Sequence, residues 1–177
     1  MTDYPVATGV DDFTVRFTDG SGTTTDYTAT TLLASFSRVL APYFTDSAYM
    51  DINTSAIPDA DVISAATFYF YASAYTISKG VTKTYILWMG VGGSAVIIKT
   101  GTFVSAGWIN EILTASELLL IEKAGLTQFR VSVDDPGALK SRSMTITALE
   151  SGTNTAYLSV THAPASSAYY NISICTS

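Results

Sequence analysis

Hydrophobic and polar residues alternate with a period of two along most of this chain, a pattern typical of β-strands that bury one face. Phe13, Val15 and Phe17 alternate with polar residues, and a turn-forming Asp-Gly-Ser-Gly sequence follows. Asp and Gly favour tight turns between antiparallel strands. The pattern therefore predicts a hairpin with strands at 13–18 and 23–28.

Further strands are predicted wherever such alternation, or a run of β-branched residues, lies between turn signals. The segments are 49–53, 62–71, 82–89, 95–99 continuing at 103–104, 129–133, 144–149, 156–160 and 169–175. A turn-forming sequence at 151–154 separates two of these segments by only a few residues. We therefore expect 144–149 and 156–160 to pair as a hairpin.

The longest predicted strand, 62–71, carries aromatic residues on both of its faces. Its alternation places Phe68 and Phe70 on one face, and Tyr69 and Tyr71 on the other. If the phenylalanines enter the core, the tyrosines form an exposed patch unless a partner covers them. Tyrosines packed between two sheets are the structural alternative, and sugar stacking is the functional one. Burial in a protein interface explains the pattern best.

We extend this interpretation to a set of predicted interface residues with outward aromatic or cationic side chains. The set is Tyr69, Tyr71, Tyr75, Tyr169, Tyr170 and Arg130. Arg130 lies between two apolar residues of a predicted strand and points away from them. An exposed or edge-strand arginine is favoured there over an ion pair with Asp134 or with a neighbouring subunit.

Two segments have helical spacing. Apolar residues in 31–44 fit an amphipathic helix, and the β-branched flanks leave a strand as the alternative. The segment 114–124 is a clearer helix, because Thr114 can cap it and Glu117 is the matching capping-box partner. Gly125 follows where a left-handed terminator is expected. The centre of this helix is apolar nearly all round, so we expect it to be buried.

Together these elements predict an all-β protein, a jelly-roll-like antiparallel β-sandwich with one short capped helix. The length of 177 residues suits one domain. We assign 1–12 to an N-terminal arm, 13–162 to the sandwich and 163–177 to a C-terminal extension that ends in a strand. The arm and the extension are expected to reach neighbouring subunits, the extension by strand addition.

The composition changes the picture through its low charge. Only 14% of the residues are charged, against about 25% in ordinary soluble domains, and the chain contains 26 Thr and 20 Ser. A neutral, hydroxyl-rich and aromatic surface suits contact with other polypeptides. The net charge of −6 and the scattered basic residues argue against nucleic-acid binding. The sequence contains no apolar run of about 18 residues, so no membrane-spanning helix is predicted.

The single cysteine, Cys175, forbids an intramolecular disulfide and leaves too few thiols for a zinc site. The N-terminus has neither a basic region nor an apolar core, so no secretory signal is predicted. The composition is typical of an extracellular protein, but neither a secretory signal nor a disulfide is predicted. This combination fits a protein that is made in a host cytoplasm and assembled onto a virus particle. The predicted localisation is the virion.

The sequence gives no clear catalytic, cofactor or metal site. No nucleophile elbow accompanies His162, the only histidine, so a catalytic role is not predicted for it. It is expected to be a solvent-exposed residue at the end of a strand. Asp11–Asp12 and Asp134–Asp135 could bind Ca²⁺, but they form no calcium loop and are explained as turn residues. The scattered glutamates do not define a glycosidase pair. We therefore predict a non-enzyme without cofactor.

Part of the chain resembles DNRLRE-type β-sandwich modules. The strand 49–53, the Ile57–Pro58 turn and the alternating strand 62–71 are similar to the opening of that module, and Trp108 and the strand 155–161 to later parts. The resemblance covers about 47–162. Asn53 and Ala156 stand where the family usually has Asp and Pro, and the chain runs past the usual end of the module.

Modules of this kind occur in secreted surface proteins and in tailed-phage virion proteins, which implies a structural or adhesive role. We therefore predict a non-enzymatic virion protein of a tailed phage, either a capsid decoration or a tail-associated protein. Its expected partners are other virion proteins and further copies of itself, with neither nucleic acid nor membrane. The alternative function is a glycan-binding adhesion module, with Tyr69 and Trp108 stacking on sugars.

Overall fold

The alternating segments form strands in the computed structural model, which describes residues 1–5, 12–39, 41–91 and 94–165. These residues form one curled, twelve-stranded antiparallel sheet, which confirms the predicted all-β, sandwich-like class. The strands are β1 (Thr2–Pro5), β2 (Asp12–Thr18), β3 (Gly22–Asp26), β4 (Thr31–Ser37), β5 (Phe44–Asn53), β6 (Asp61–Ile77), β7 (Thr84–Met89), β8 (Val96–Thr102), β9 (Gly107–Ile112), β10 (Leu126–Ser132), β11 (Ser141–Thr147) and β12 (Tyr157–Pro164). One short α-helix, α1 (Ala115–Leu118), and a 3₁₀ turn (Leu149–Ser151) complete the described secondary structure.

Two long strands, β5 and β6, each pair with three others and thereby organise the sheet. Ala72 of β6 pairs with β9 and β11, whereas Tyr69 pairs with β9 and β12. Because a strand has two edges, β11 and β12 lie end to end along one edge of β6 and β9 lies along the other. In β5, Asp46 pairs with β2 and β4, and Met50 pairs with β2 and β10, so β4 and β10 also share one edge.

The curled sheet encloses the core between two layers. The first layer contains β9, β6, β12 and β1, the second contains β3, β2, β5, β10, β7 and β8, and β4 and β11 join the two at one side. Phe68 of β6 stacks on Phe129 of β10 across the core, with ring centroids 3.8 Å apart. Both side chains are fully buried, and each contributes about 1.5–3 kcal/mol of hydrophobic stabilisation.

The predicted hairpin between 144–149 and 156–160 is wrong, because β11 and β12 do not pair with each other. Both pair with β6, one after the other. The 17-residue β6 offers backbone partners for two consecutive strands along one edge. The connection between them leaves the edge as a 3₁₀ turn, and the Leu149 N–H donates to the Asp12 carboxylate at 2.5 Å. That connection therefore joins two collinear strands.

The predicted helix at 114–124 is correct at its start and wrong in its length. The Glu117 carboxylate accepts a hydrogen bond from the Thr114 N–H at 2.6 Å, which confirms the capping-box partner. The helix nevertheless ends at Leu118. Of its expected buried centre, Ile121 is buried at 5% exposure, whereas Leu119 is 85% exposed.

Two buried hydroxyl groups hold the chain in a turn after this helix. The Thr54 hydroxyl donates to the carbonyl of Glu122, and the Thr127 hydroxyl accepts from the Glu122 N–H at 3.0 Å. The backbone N–H of Thr54 also donates to the Gly125 carbonyl at 3.1 Å. Gly125 is therefore bonded to the end of β5, and it is not the residue that terminates the helix. Such side-chain bonds compete with helical bonds and redirect the chain into β10.

Several other boundaries differ from the sequence-based expectation. The ambiguous segment 31–44 contains strand β4 and the first residue of β5. Strand β9 was not predicted. Residues 2–5 of the expected arm form β1, which pairs with β12 and belongs to the sandwich, and β12 continues to Pro164, past the expected boundary at 162. The strand predicted at 169–175 lies outside the described residues.

A buried carboxylate fixes the junction of β2, β4 and β5. Asp46 is 0% exposed and accepts hydrogen bonds from Arg16 Nε at 2.7 Å, from Arg16 Nη2 at 2.9 Å and from the Ser35 hydroxyl at 2.6 Å. A carboxylate in this position is retained because all its partners are present.

Replacement of Asp46 by Ala is expected to lower the free energy of unfolding by about 2–4 kcal/mol, because it removes three hydrogen bonds and leaves the Arg16 charge without its partner. Chemical denaturation measures the change. The matched control is Asp59→Ala, at an exposed turn position, where the change should stay within about 0.5 kcal/mol. Equal effects of the two substitutions would contradict this role for Asp46.

Candidate functional site

Four aromatic side chains lie together on the outer side of the first layer: Tyr69 and Tyr71 of β6, Trp108 of β9 and Tyr157 of β12. We call this set the outer aromatic face. Tyr69 stacks on Tyr157 with ring centroids 4.5 Å apart. Trp108 packs edge-on against Tyr71 and Tyr157, at 5.6 Å and 5.7 Å. The face is therefore one continuous aromatic cluster across three neighbouring strands.

Strand register positions this cluster. Tyr71 pairs with Trp108 and Tyr69 pairs with Tyr157, so each aromatic residue has a cross-strand aromatic neighbour. Phe68 and Phe70 occupy the buried side of the same strand, as their alternation predicted. The structure thus places Tyr69 and Tyr71 outward, and their role as interface residues stays a prediction.

The outer aromatic face is partly open to solvent and carries little charge. Trp108 is 45% exposed, and Ile112, on the same side of β9, is 76% exposed. The Ser159 hydroxyl donates to the Asp3 carboxylate beside the face. Burial, and to a smaller extent the neighbouring Tyr69 and Asp3, raise the pKa of Tyr157 above its usual value, so the Tyr157 hydroxyl is neutral at physiological pH. Such a surface suits contact with another protein.

Strand β9 is the element that sequence analysis missed. It supplies Trp108 to this face, and Asn110 and Ile112 lie on the same side of the strand beside it. The signal was present in the sequence as the alternation of residues 108, 110 and 112 after Gly107. Trp108 was instead interpreted as an anchor beneath a loop.

A buried carboxylate joins the two layers at the edge of the face. Glu111 of β9 accepts a hydrogen bond from the Tyr85 hydroxyl of β7 at 2.5 Å. It also forms an ion pair with Lys99 of β8 at 3.1 Å. Burial, followed by the hydrogen bond to Glu111, raises the pKa of Tyr85 well above its usual value. These contacts hold β9 in place, and they fix the position of Trp108 three residues earlier.

Tyr75 does not belong to the outer aromatic face, although it follows Tyr71 at an even spacing. The register of β6 and β11 shifts between Thr145 and Ile146, which leaves Ser73 without a partner in the ladder. A bulge of one residue reverses the side on which later residues lie. The Tyr75 ring accordingly packs near the buried Phe103, with centroids 5.3 Å apart.

The remaining predicted interface residues lie elsewhere. Arg130 is on the outer side of the second layer, with its guanidinium 4.1 Å from the centroid of the Trp88 ring. It forms no ion pair with Asp134, which binds Arg142 instead. Tyr169 and Tyr170 lie outside the described residues.

The expectation that His162 is solvent-exposed is wrong. Its side chain is only 19% exposed, with Nδ1 2.6 Å from the Asp61 carboxylate and Nε2 3.1 Å from the Tyr4 hydroxyl. These contacts connect β1, β6 and β12 and give His162 a positioning role within the first layer. Sequence reasoning missed them because the partners lie about 100 and 160 residues away along the chain.

The described part of the chain contains no group of three or more His, Cys, Asp or Glu residues arranged to hold a metal ion. None of its helices is long and apolar enough to cross a membrane. Among the aspartates considered for calcium, Asp134 pairs with Arg142, and Asp135 pairs with Arg38 at 2.7 Å.

Comparison with models of known protein families found no family that matches this chain, and comparison with curated proteins found no matching relative. The resemblance to DNRLRE-type modules therefore stays a prediction. The outer aromatic face is identified from its geometry alone.

The raised pKa of Tyr85 predicts an alkaline loss of stability. The protonated Tyr85 contributes fully to the free energy of unfolding below the unfolded-state pKa of a tyrosine, about 10. Above that pH the contribution declines, by up to about 1.4 kcal/mol per pH unit. Tyr85→Phe should remove this share of the decline. Urea unfolding of both proteins at a series of alkaline pH values measures it.

The control for this experiment is Tyr43→Phe, since Tyr43 is 41% exposed and lies outside the contacts of Glu111. This variant retains Tyr85 and its contact with Glu111, so it should keep the alkaline decline that Tyr85 causes. If Tyr85→Phe also followed the wild-type curve throughout, Tyr85 would not be the group that retains its proton.

Proposed function

We propose that this protein is a non-enzymatic structural component of a tailed-phage virion, either a capsid decoration or a tail-associated protein. It attaches to the particle through the outer aromatic face. The observation that carries the proposal is that face itself: Tyr69, Tyr71, Trp108 and Tyr157 form a continuous, partly exposed cluster on a regular sheet.

The arrangement of the rings favours a protein partner over a sugar at this face. Tyr69 and Tyr157 stack on each other, so each has one ring face already covered. Trp108 contacts two tyrosines at once. The Trp108 ring is inclined by 82° to the Tyr71 ring and by 71° to the Tyr157 ring, so these rings form no flat platform for a sugar. Trp and Tyr side chains fixed by their neighbours are typical anchors of protein interfaces.

The low charge of the chain supports attachment to an assembly. Charged residues are rare overall, and several of those present are bound internally, as in the pairs Arg16–Asp46, Lys99–Glu111 and His162–Asp61. The remaining surface is rich in hydroxyl and aromatic groups. Covering such a surface with another protein costs less hydration energy than covering charged groups would.

The virion assignment rests on two supports: this surface and the sequence resemblance described above. The other virion partners and the homo-oligomer expected from the sequence belong to the same proposal. Self-association would bring copies of the outer aromatic face to regular positions on a symmetric particle.

The experiment replaces Tyr71 and Trp108 together by Ser and measures the number of copies per purified particle by quantitative mass spectrometry. Loss of two aromatic anchors, each contributing about 2 kcal/mol, should reduce incorporation at least about tenfold. The melting temperature of the variant is measured in parallel. It should remain above the assembly temperature, since neither side chain is in the core.

The matched control is Tyr43→Ser, which removes an equally exposed aromatic residue outside β6, β9 and β12. This variant should be incorporated at the wild-type level. Absence of the wild-type protein from purified particles would overturn the virion proposal, and unchanged incorporation of the double variant would overturn the role of the face.

A further inference from the structure

A stretch of β6 has an edge without a strand partner. Between Asp61 and Ala65, β6 pairs with β12 along one edge. Along the other edge, pairing with β9 starts only at Thr67, so no strand in the described part of the chain pairs with this stretch. An unpaired strand edge offers its backbone N–H and C=O groups to a strand from elsewhere. We call this stretch the free edge of β6.

An apolar groove of about 500 Å³ lies beside the free edge of β6. It is lined by residues of β6, of α1 and of the turn after α1, among them Val62, Leu118, Leu119 and Ile121. Val62 is 58% exposed and Leu119 is 85% exposed, although both side chains are hydrocarbon. We call it the α1 groove. In strand addition, backbone hydrogen bonds supply affinity and such a groove accepts alternate side chains.

The two charged residues that line the α1 groove already have partners. The Lys123 ammonium donates to the carbonyl of Asp59 at 3.1 Å and to that of Asp61 at 2.5 Å. The Asp61 carboxylate pairs with His162. A charged ligand would lose its hydration in this groove without gaining a free opposite charge. The groove therefore fits an uncharged segment with apolar side chains.

Residues 166–177 of this chain match that chemistry. They lie outside the described residues, and their sequence contains no Asp, Glu, Lys or Arg. In the strand predicted at 169–175, Tyr170, Ile172 and Ile174 share one side, and the residues between them are Asn and Ser. Seven extended residues span about 23 Å, which is enough to follow the whole free edge of β6.

The direction of the chain at Ala165 favours the groove of a second copy over its own. β12 runs antiparallel to β6, and the Ala165 N–H donates to the Ala60 carbonyl at 3.3 Å. At Ala165 the chain is therefore still on the β12 edge and runs past the start of β6, away from its own α1 groove. To enter that groove it would have to reverse and cross residues 58–60 within the three residues before Tyr169. A second copy requires no such reversal.

We propose that residues 169–175 of one copy add as a strand to the free edge of β6 in a second copy, with Tyr170, Ile172 and Ile174 in the α1 groove. Reciprocal exchange closes a dimer, and exchange in one direction gives a ring or an open chain of copies. This inference deepens the self-association included in the proposed function. Its test uses neither the particle nor the outer aromatic face, so strand exchange and attachment to the particle can fail separately.

Sedimentation velocity of the whole chain at a series of concentrations measures the self-association. The wild type should be oligomeric at about 100 μM. Leu119→Asp and, separately, Ile172→Asp should each weaken association at least about tenfold, because a carboxylate placed in an apolar groove loses its hydration. Leu119 is 85% exposed, so its replacement should leave the melting temperature nearly unchanged.

The matched control is Leu139→Asp. Leu139 is 78% exposed and is not among the residues that line the α1 groove, so this variant should associate like the wild type. A wild type that stays monomeric at about 100 μM, or a Leu119→Asp variant that associates as strongly as the wild type, would overturn the proposal.

The single cysteine, Cys175, locates the contact, because it lies at the end of the proposed strand. Val62→Cys and Leu119→Cys each place a second thiol in the α1 groove, and Thr24→Cys is the control on the exposed strand β3. After mild oxidation, peptide mass spectrometry identifies the linked residues. At least one groove variant should form a disulfide with Cys175 of another copy, and the control should form little of it.

The same experiment distinguishes the two possible sources of the strand. A disulfide between the groove and Cys175 within one copy, found in a monomer on a non-reducing gel, would overturn exchange between copies. Absence of a disulfide to Cys175 in both groove variants would overturn the assignment of the groove to this segment. Neither result depends on whether Ile172→Asp folds.

Discussion

The two-residue period of β6 is the constraint on which the rest of the structure depends. One side of this strand supplies Phe68 and Phe70 to the core, and the other supplies Tyr69 and Tyr71 to the outer aromatic face. Because the core stack of Phe68 on Phe129 fixes the register, it also fixes the outward tyrosines. The same interaction therefore stabilises the fold and positions the surface that we propose binds the particle.

Several charged side chains connect strands within this protein. Asp46 joins β2, β4 and β5, Glu111 joins β7, β8 and β9, and the Asp61–His162 pair joins β6 and β12. These connections occur where strands change partners or where the layers meet, positions that hydrophobic contacts alone specify poorly. They also remove charge from the surface. Among the arginines, the described residues show an acidic partner for Arg16, Arg38 and Arg142 but none for Arg130.

Local patterns predicted local structure well. The alternation of 62–71 predicted the buried and outward faces of β6, and Thr114 with Glu117 marked the start of the helix. The features that depend on distant partners could not be predicted. The hydroxyls of Thr54 and Thr127 shorten the helix, and a bulge at Ser73 turns Tyr75 inward. In both cases a partner lies far away along the chain, so the local pattern does not contain the information.

The central claim is that another polypeptide covers the outer aromatic face in the assembled particle. Hydroxyl-radical footprinting tests it directly, by comparing the oxidation rate of Trp108 in the isolated protein and in purified particles, with the exposed Tyr43 as internal reference. The account predicts that Trp108 is oxidised readily in the isolated protein and becomes strongly protected relative to Tyr43 in the particle. Equal relative oxidation of Trp108 in both samples would contradict it.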